Sequence, residues 1–137
     1  MIVIDASNLI VGRMATVIAK KSLLGEEINV VNCENAVMTG KKKEVFERMK
    51  VRNERGDALK GPYFQKMPDR FIRRIIRGML PYKQEKGKLA YKRVMCYIGV
   101  PDQFNDKKLE TIKSADVSNS QALSYVTVGK ICNFLKK

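Results

Sequence analysis

A chain of 137 residues, 45% apolar and 30% charged, has the length of one domain and enough apolar residues for a single core, which excludes a disordered or membrane-embedded chain. It contains no histidine, so Ser-His-Asp and Cys-His arrangements, H-E-x-x-H zinc sites and His general bases are unavailable. The 27 Lys and Arg against 14 Asp and Glu give a formal charge of +13, a field that points to a polyanion or an anionic surface.

In chain order, "IVID" from Ile2 to Asp5 reads as a short strand buried on both faces. Ser7 and Asn8 in "ASNL" are turn or cap candidates. A helix is predicted from Gly12 to Leu24, with Met14, Val17, Ile18 and Leu24 at helical spacing and Gly25 to end it. "INVVNC", Ile28 to Cys33, is a second buried strand. Strand, helix, strand at this spacing is a βαβ unit, which implies a parallel sheet with a right-handed crossover. Beyond "ENAVMTG", the stretch "KKKEVFERMKVRNERG" is a helix with Val45, Phe46 and Met49 inward and Gly56 closing it. "DALKGPYFQKMP" is loop.

The next segment is "PDRFIRRIIRGML", Pro68 to Leu80. At about 100° per residue, Arg70, Arg73, Arg74 and Arg77 fall within an arc roughly 100° wide, with Phe71, Ile72, Ile75, Ile76 and Met79 around the opposite side. One side packs, and the other carries four guanidinium groups with few carboxylates to answer them at i, i+4 spacing. "PYKQEKGKLAYKR" is then a basic loop leading into a short helix, and "VMCYIGV", Val94 to Val100, a third buried strand. "ETIKSADVS" offers an edge strand, and "SYVTVGKICNFLKK" a closing helix with Val128, Ile131, Cys132 and Leu135 inward. No repeat or linker interrupts residues 1–137, so one domain is expected.

The charge is unevenly spread. Between Lys41 and Arg93 lie 18 of the 27 basic and 6 of the 14 acidic residues, net +12, leaving 9 basic against 8 acidic elsewhere. A basic middle, 41–93, on a nearly neutral scaffold is the footprint of a nucleic-acid binder. Cys33, Cys96 and Cys132 lack any C-x-x-C pairing and read as buried thiols in a reducing cytoplasm. No basic leader precedes a long apolar run, so neither export nor membrane insertion is expected. The scattered acids read as surface groups rather than a catalytic pair.

A βαβ unit can hold a nucleotide, but "DASNLIVGRMA" has one glycine where G-x-G-x-x-G needs three, and "MTGKKKE" lacks the P-loop spacing. No cofactor is expected. "TGKKK" at a helix start can still meet a single phosphate. Tyr63, Phe64, Tyr82 and Tyr91 lie in the basic region, where they either stack bases or pack loops onto the core.

Three stretches, "VIDASNLIVGRMA", "VVNCENAVMTGKK" and "IRRIIRGMLPYKQEKGKLAYKRVMCYIGVP", together resemble the universal large-subunit ribosomal protein L-thirteen family in its archaeal and eukaryotic form. The resemblance covers much of residues 1–101 and is most specific at "RGMLP", Arg77 to Pro81, and at Tyr97 to Pro101. It implies a three-layer α/β/α domain around a short, mainly parallel four-stranded sheet, seated on large-subunit ribosomal RNA as an assembly component in the cytoplasm, without catalysis. Neighbouring ribosomal proteins would be further partners; a membrane or a small-molecule substrate would not. By position in the matching motifs, Lys41, Lys42, Lys43, Arg73, Arg74, Arg77, Lys83, Lys86, Lys88, Lys92 and Arg93 would face RNA, and the basic middle adds Arg52, Arg55 and Arg70 as candidates. The chain departs from the family at "YFQKMPD" and at the missing bacterial-type N-terminal extension, and beyond Pro101 the match is loose. The alternatives are an RNA-binding regulator acting off the ribosome and a nucleotide- or RNA-processing enzyme on a Rossmann-like sheet.

Overall fold

The computed structural model describes residues 1–137. Four parallel strands form the main sheet in the order β4-β2-β1-β5: β1 (Ile2–Asp5), β2 (Ile28–Val31), β4 (Val94–Cys96) and β5 (Leu109–Glu110). The register pairs Ile4 with Val30, Val30 with Cys96 and Val3 with Leu109. β-branched residues dominate β1 and β2, which suits strands covered on both faces.

Five helices accompany the sheet: α1 (Val11–Leu23), α2 (Lys42–Glu54), α3 (Pro68–Gly78), α4 (Glu85–Lys92) and α5 (Val128–Lys136). α1, α3 and α4 cover one sheet face. There Ile4, Ile28, Val30, Val94 and Cys96 meet Met14 and Ile18 of α1, Ile72 and Ile76 of α3 and Ala90 of α4 in one continuous core. The second face is covered differently. Val3 and Val31 pack under Phe104, from the 3-10 turn Asp102–Phe104, with Tyr97 edge-on to its ring at 5.4 Å. That layer is a 3-10 turn with its flanking loops, whose Phe104 ring covers the two valines.

A second, two-stranded antiparallel sheet joins β3 (Val37–Thr39) to β6 (Tyr125–Thr127), with Val37 opposite Thr127. The sequence pattern predicts neither strand: "ENAVMTG" has no periodicity of its own, and "SYVT" falls within the stretch expected as the closing helix. Each is three residues long, too short for a period-2 signal, and each exists because the other pairs with it. α5 then begins at Val128, with Val128, Ile131, Cys132 and Leu135 buried as anticipated.

Other boundaries also move. The second strand stops at Val31, because Asn32 turns left-handed (φ 55°) into the 3-10 turn Cys33–Asn35. The third strand ends at Cys96, and the C-terminal edge strand is only Leu109–Glu110, followed by a 3-10 turn at Lys113–Ala115. Leu24 is not an inward residue of α1 but lies past its end, 75% exposed. Gly25 follows at φ 104°, a left-handed conformation that lets the chain leave the helix. Gly87 has a different purpose: a Cβ there would overlap the Pro81 carbonyl, so the glycine lets α4 press against the preceding turn.

Candidate nucleic-acid interface

α3 opens with Pro68 in its first turn and Asp69 beside it, both favourable at a helix start, and has Arg77 in its last turn. Its apolar side is Phe71, Ile72 and Ile76, all buried, with Ile75 half-buried. Met79, expected among the anchors, lies beyond the helix and is 42% exposed, its sulfur 3.6 Å from the Thr16 hydroxyl. With the helix locked by three residues, the arginines are held outward.

They converge. A concavity of about 380 Å³ is lined by Arg70, Arg73, Arg74 and Arg77 with Gln65 and Tyr91. Arg73 donates its Nε–H to the Val94 carbonyl at 3.0 Å and lies over the Tyr91 ring, 4.3 Å from its centroid. Arg77 sits 4.7 Å above the Tyr82 ring. Cation–π contact fixes these guanidinium groups in orientation while leaving N–H groups free for an oxyanion. Arg74 reaches only the Tyr63 carbonyl, at 3.5 Å, too long to hold it.

No carboxylate neutralises this surface. The protein has two salt bridges, Lys41–Glu44 and Lys50–Glu54, each at 3.9 Å between exposed side chains of α2 or its cap. Every arginine therefore lacks an acidic partner within 4.0 Å. Arg52 and Arg55, at the end of α2, join Arg74 around an adjoining cavity with Pro62, Tyr63 and Phe64. Six of the expected residues, Arg52, Arg55, Arg70, Arg73, Arg74 and Arg77, thus form one continuous arginine surface across α2 and α3.

The remaining candidates stand apart from it. Lys41, Lys42 and Lys43 are exposed at the opposite end of α2, roughly 15 Å from Arg52 by helix rise. Lys83 in the turn before α4 and Lys86 and Lys88 on it are exposed. Lys92 and Arg93 line a separate cavity with Met1, Glu27 and Asn29. Arg93 also has a protein partner, donating to the Ser22 carbonyl at 3.2 Å and so closing the C-terminal turn of α1.

Of the aromatics, Phe64 packs edge-on against Phe71 at 5.9 Å, a core role, and the exposed Tyr63 hydroxyl donates to the Leu59 carbonyl. Tyr91 is the platform under Arg73. Gln65 was not anticipated; it lies in the stretch "YFQKMPD", where the sequence leaves the family pattern, and nothing local marks it as facing the arginines.

The nucleotide alternative turns on the crevice beyond the strand ends, where the order reverses between β1 and β5. The chain fills it with its own backbone: Ile10 N–H donates to the Ala115 carbonyl at 2.7 Å and Val117 N–H to the Asn8 carbonyl at 3.0 Å. Asp5, at the end of β1, accepts from Ser7 N–H, the Ser7 hydroxyl and the Asn32 amide at 2.8–3.0 Å. Partial burial pushes its pKa up, but these donors outweigh that and hold it below the ordinary 3.8. It is a turn-building carboxylate. The three cysteines are buried and unbridged. The Cys33 thiol beside Cys96, together with burial, raises the Cys96 pKa well above the usual 9.0, and burial pushes Cys132 up to about 11. Both are protonated thiols at neutral pH.

Residues 1–103 match the family model described as Ribosomal protein L13. The chain is 45% identical over 134 residues to a large ribosomal subunit protein uL13 of Archaeoglobus fulgidus, covering 97% of this chain and 86% of that one. It is 42% identical over 131 residues to the uL13 of Methanococcoides burtonii, covering 96% and 94%. With that of Methanococcus maripaludis it shares 40% over 142 aligned positions, covering 98% and 97%. The similarity therefore continues past Pro101, through the segment that was the loosest part of the resemblance.

Proposed function

Because the chain belongs to the ribosomal protein L13 family, and so is a structural, non-catalytic protein of the cytoplasmic large ribosomal subunit, we propose that its α2–α3 surface binds large-subunit ribosomal RNA and thereby supports subunit assembly and translation. One observation carries the RNA reading: the guanidinium groups of Arg70, Arg73, Arg74 and Arg77 line one concavity without a carboxylate within 4.0 Å. Held that close and unpaired, they repel one another until phosphates arrive. Arginine suits that partner because its planar fork meets two phosphate oxygens at once. Lys41, Lys42, Lys43, Lys83, Lys86, Lys88 and Lys92 extend the contact as mobile point charges, while Arg93 contributes mainly to the protein's own packing. Neighbouring ribosomal proteins complete the set of partners.

Sedimentation of a cell lysate before and after a high-salt wash tests this reading. The protein should travel with large subunits and remain on them after the wash. Protein found at the top of the gradient in low salt would overturn the reading.

A further inference from the structure

A cavity of about 250 Å³ opens between α2 and α3, and it is unlike its neighbours. Its floor is apolar, formed by the buried Met49 and Phe71 with Ile75 beside them, and Phe64 stands at the wall. Arg52 and Arg74 stand on its rim, and the Gln65 amide is its polar group besides these. The arginine concavity of α3 adjoins it, sharing Gln65 and Arg74, and so does the Arg52–Arg55 cavity, sharing Arg52, Phe64 and Arg74.

An apolar hole adjoining two arginine-lined sites matches one nucleotide strand. We propose that this cavity receives a single unstacked base of the bound RNA, whose flanking phosphates lie on the adjoining arginines. The proposal rests on the rRNA-binding reading and adds a base contact to it. The volume lies below the roughly 300–1,000 Å³ of sites for larger ligands, so it suits one ring system rather than a helix or an extended peptide. A base brings its own phosphates to Arg52 and Arg74, whereas an apolar protein side chain would leave those charges unanswered. RNA recognition commonly extrudes a base into such a setting, against apolar or aromatic surface with an amide at its edge, here Gln65.

Gly78 provides the test. It lines the cavity, and a Cβ there meets nothing within 4 Å, so Gly78→Leu fills the space without altering a charge. Ile75→Phe fills it from the α3 wall as a second variant. Binding to purified large-subunit rRNA would be measured across salt concentrations, with thermal melting to confirm folding and chemical probing of base edges in each complex. Both variants should lose roughly tenfold in affinity at an unchanged salt slope, and one unpaired base protected by the wild type should become reactive. Unchanged affinity and an unchanged protection pattern would overturn the base pocket while leaving rRNA binding intact. Retained rRNA affinity with impaired incorporation into subunits would assign the cavity to a protein side chain and overturn the proposal. Absence of wild-type binding to rRNA would overturn both readings together.

Discussion

α2 and α3 are both basic helices packed on the same scaffold, yet α2 pairs part of its charge within the helix and α3 pairs none. On α2, Lys41 and Lys50 meet Glu44 and Glu54 at i, i+3 and i, i+4 spacing, and the helix settles through Val45, Met49 and the Phe46 ring stacked on Phe134 at 4.6 Å. On α3 the arginines have no acidic partner and instead rest on tyrosine rings and a backbone carbonyl. Local pairing suits a helix that faces water. Charge left unpaired but oriented suits one that awaits an external anion, and Arg52 and Arg55 at the C-terminal end of α2 share the unpaired state of the α3 arginines.

The comparison breaks most visibly at the base of α3. Ile72→Ala or Ile76→Ala removes a fully buried side chain from the face that aims the arginines and should cost roughly 2–5 kcal/mol in thermal or denaturant unfolding. Met79→Ala should change stability by less than about 0.5 kcal/mol. A large loss at Met79 would restore it to the core. Next in size, Gly87→Ala places a methyl group against the Pro81 carbonyl and should destabilise by about 1–3 kcal/mol, even though alanine is the better helix former. A more stable variant would show that the turn before α4 yields.

On the binding side, Arg74→Ala should weaken rRNA binding similarly across RNA sequences and lower the slope of log affinity against log salt by about one, with melting unchanged. An unaltered slope would remove Arg74 from the phosphate contacts. Asp5 supplies a smaller effect with a definite sign. Its folded pKa is depressed, so its contribution is present above 3.8, the ordinary value, and fades as pH falls through the lower folded value. In acid unfolding, Asp5→Asn should lack this portion of the loss below pH 3.8, and identical acid profiles would refute it. Smallest of all, Glu44→Gln and Glu54→Gln, which break the exposed pairs of α2, should each alter stability by no more than about 0.5 kcal/mol.

Much of this was legible from residue order alone. The runs "IVID" and "INVV", the helical spacing of Met14 and Ile18, and the division of α3 into arginine and apolar sides are local patterns, and local patterns survive in a one-dimensional reading. The basic middle was equally plain, because charge needs no fold to be counted. Tertiary structure alone decided the rest. The pairing of β3 with β6 joins residues 37 and 127, and neither three-residue strand has a signal of its own. The commitment of Arg93 to the Ser22 carbonyl, the stacking of Arg73 on Tyr91 and the arrival of Gln65 among the arginines each depend on packing between distant segments. Periodicity tells a residue which way to face along its own element; what it meets there is set by the chain that packs against it.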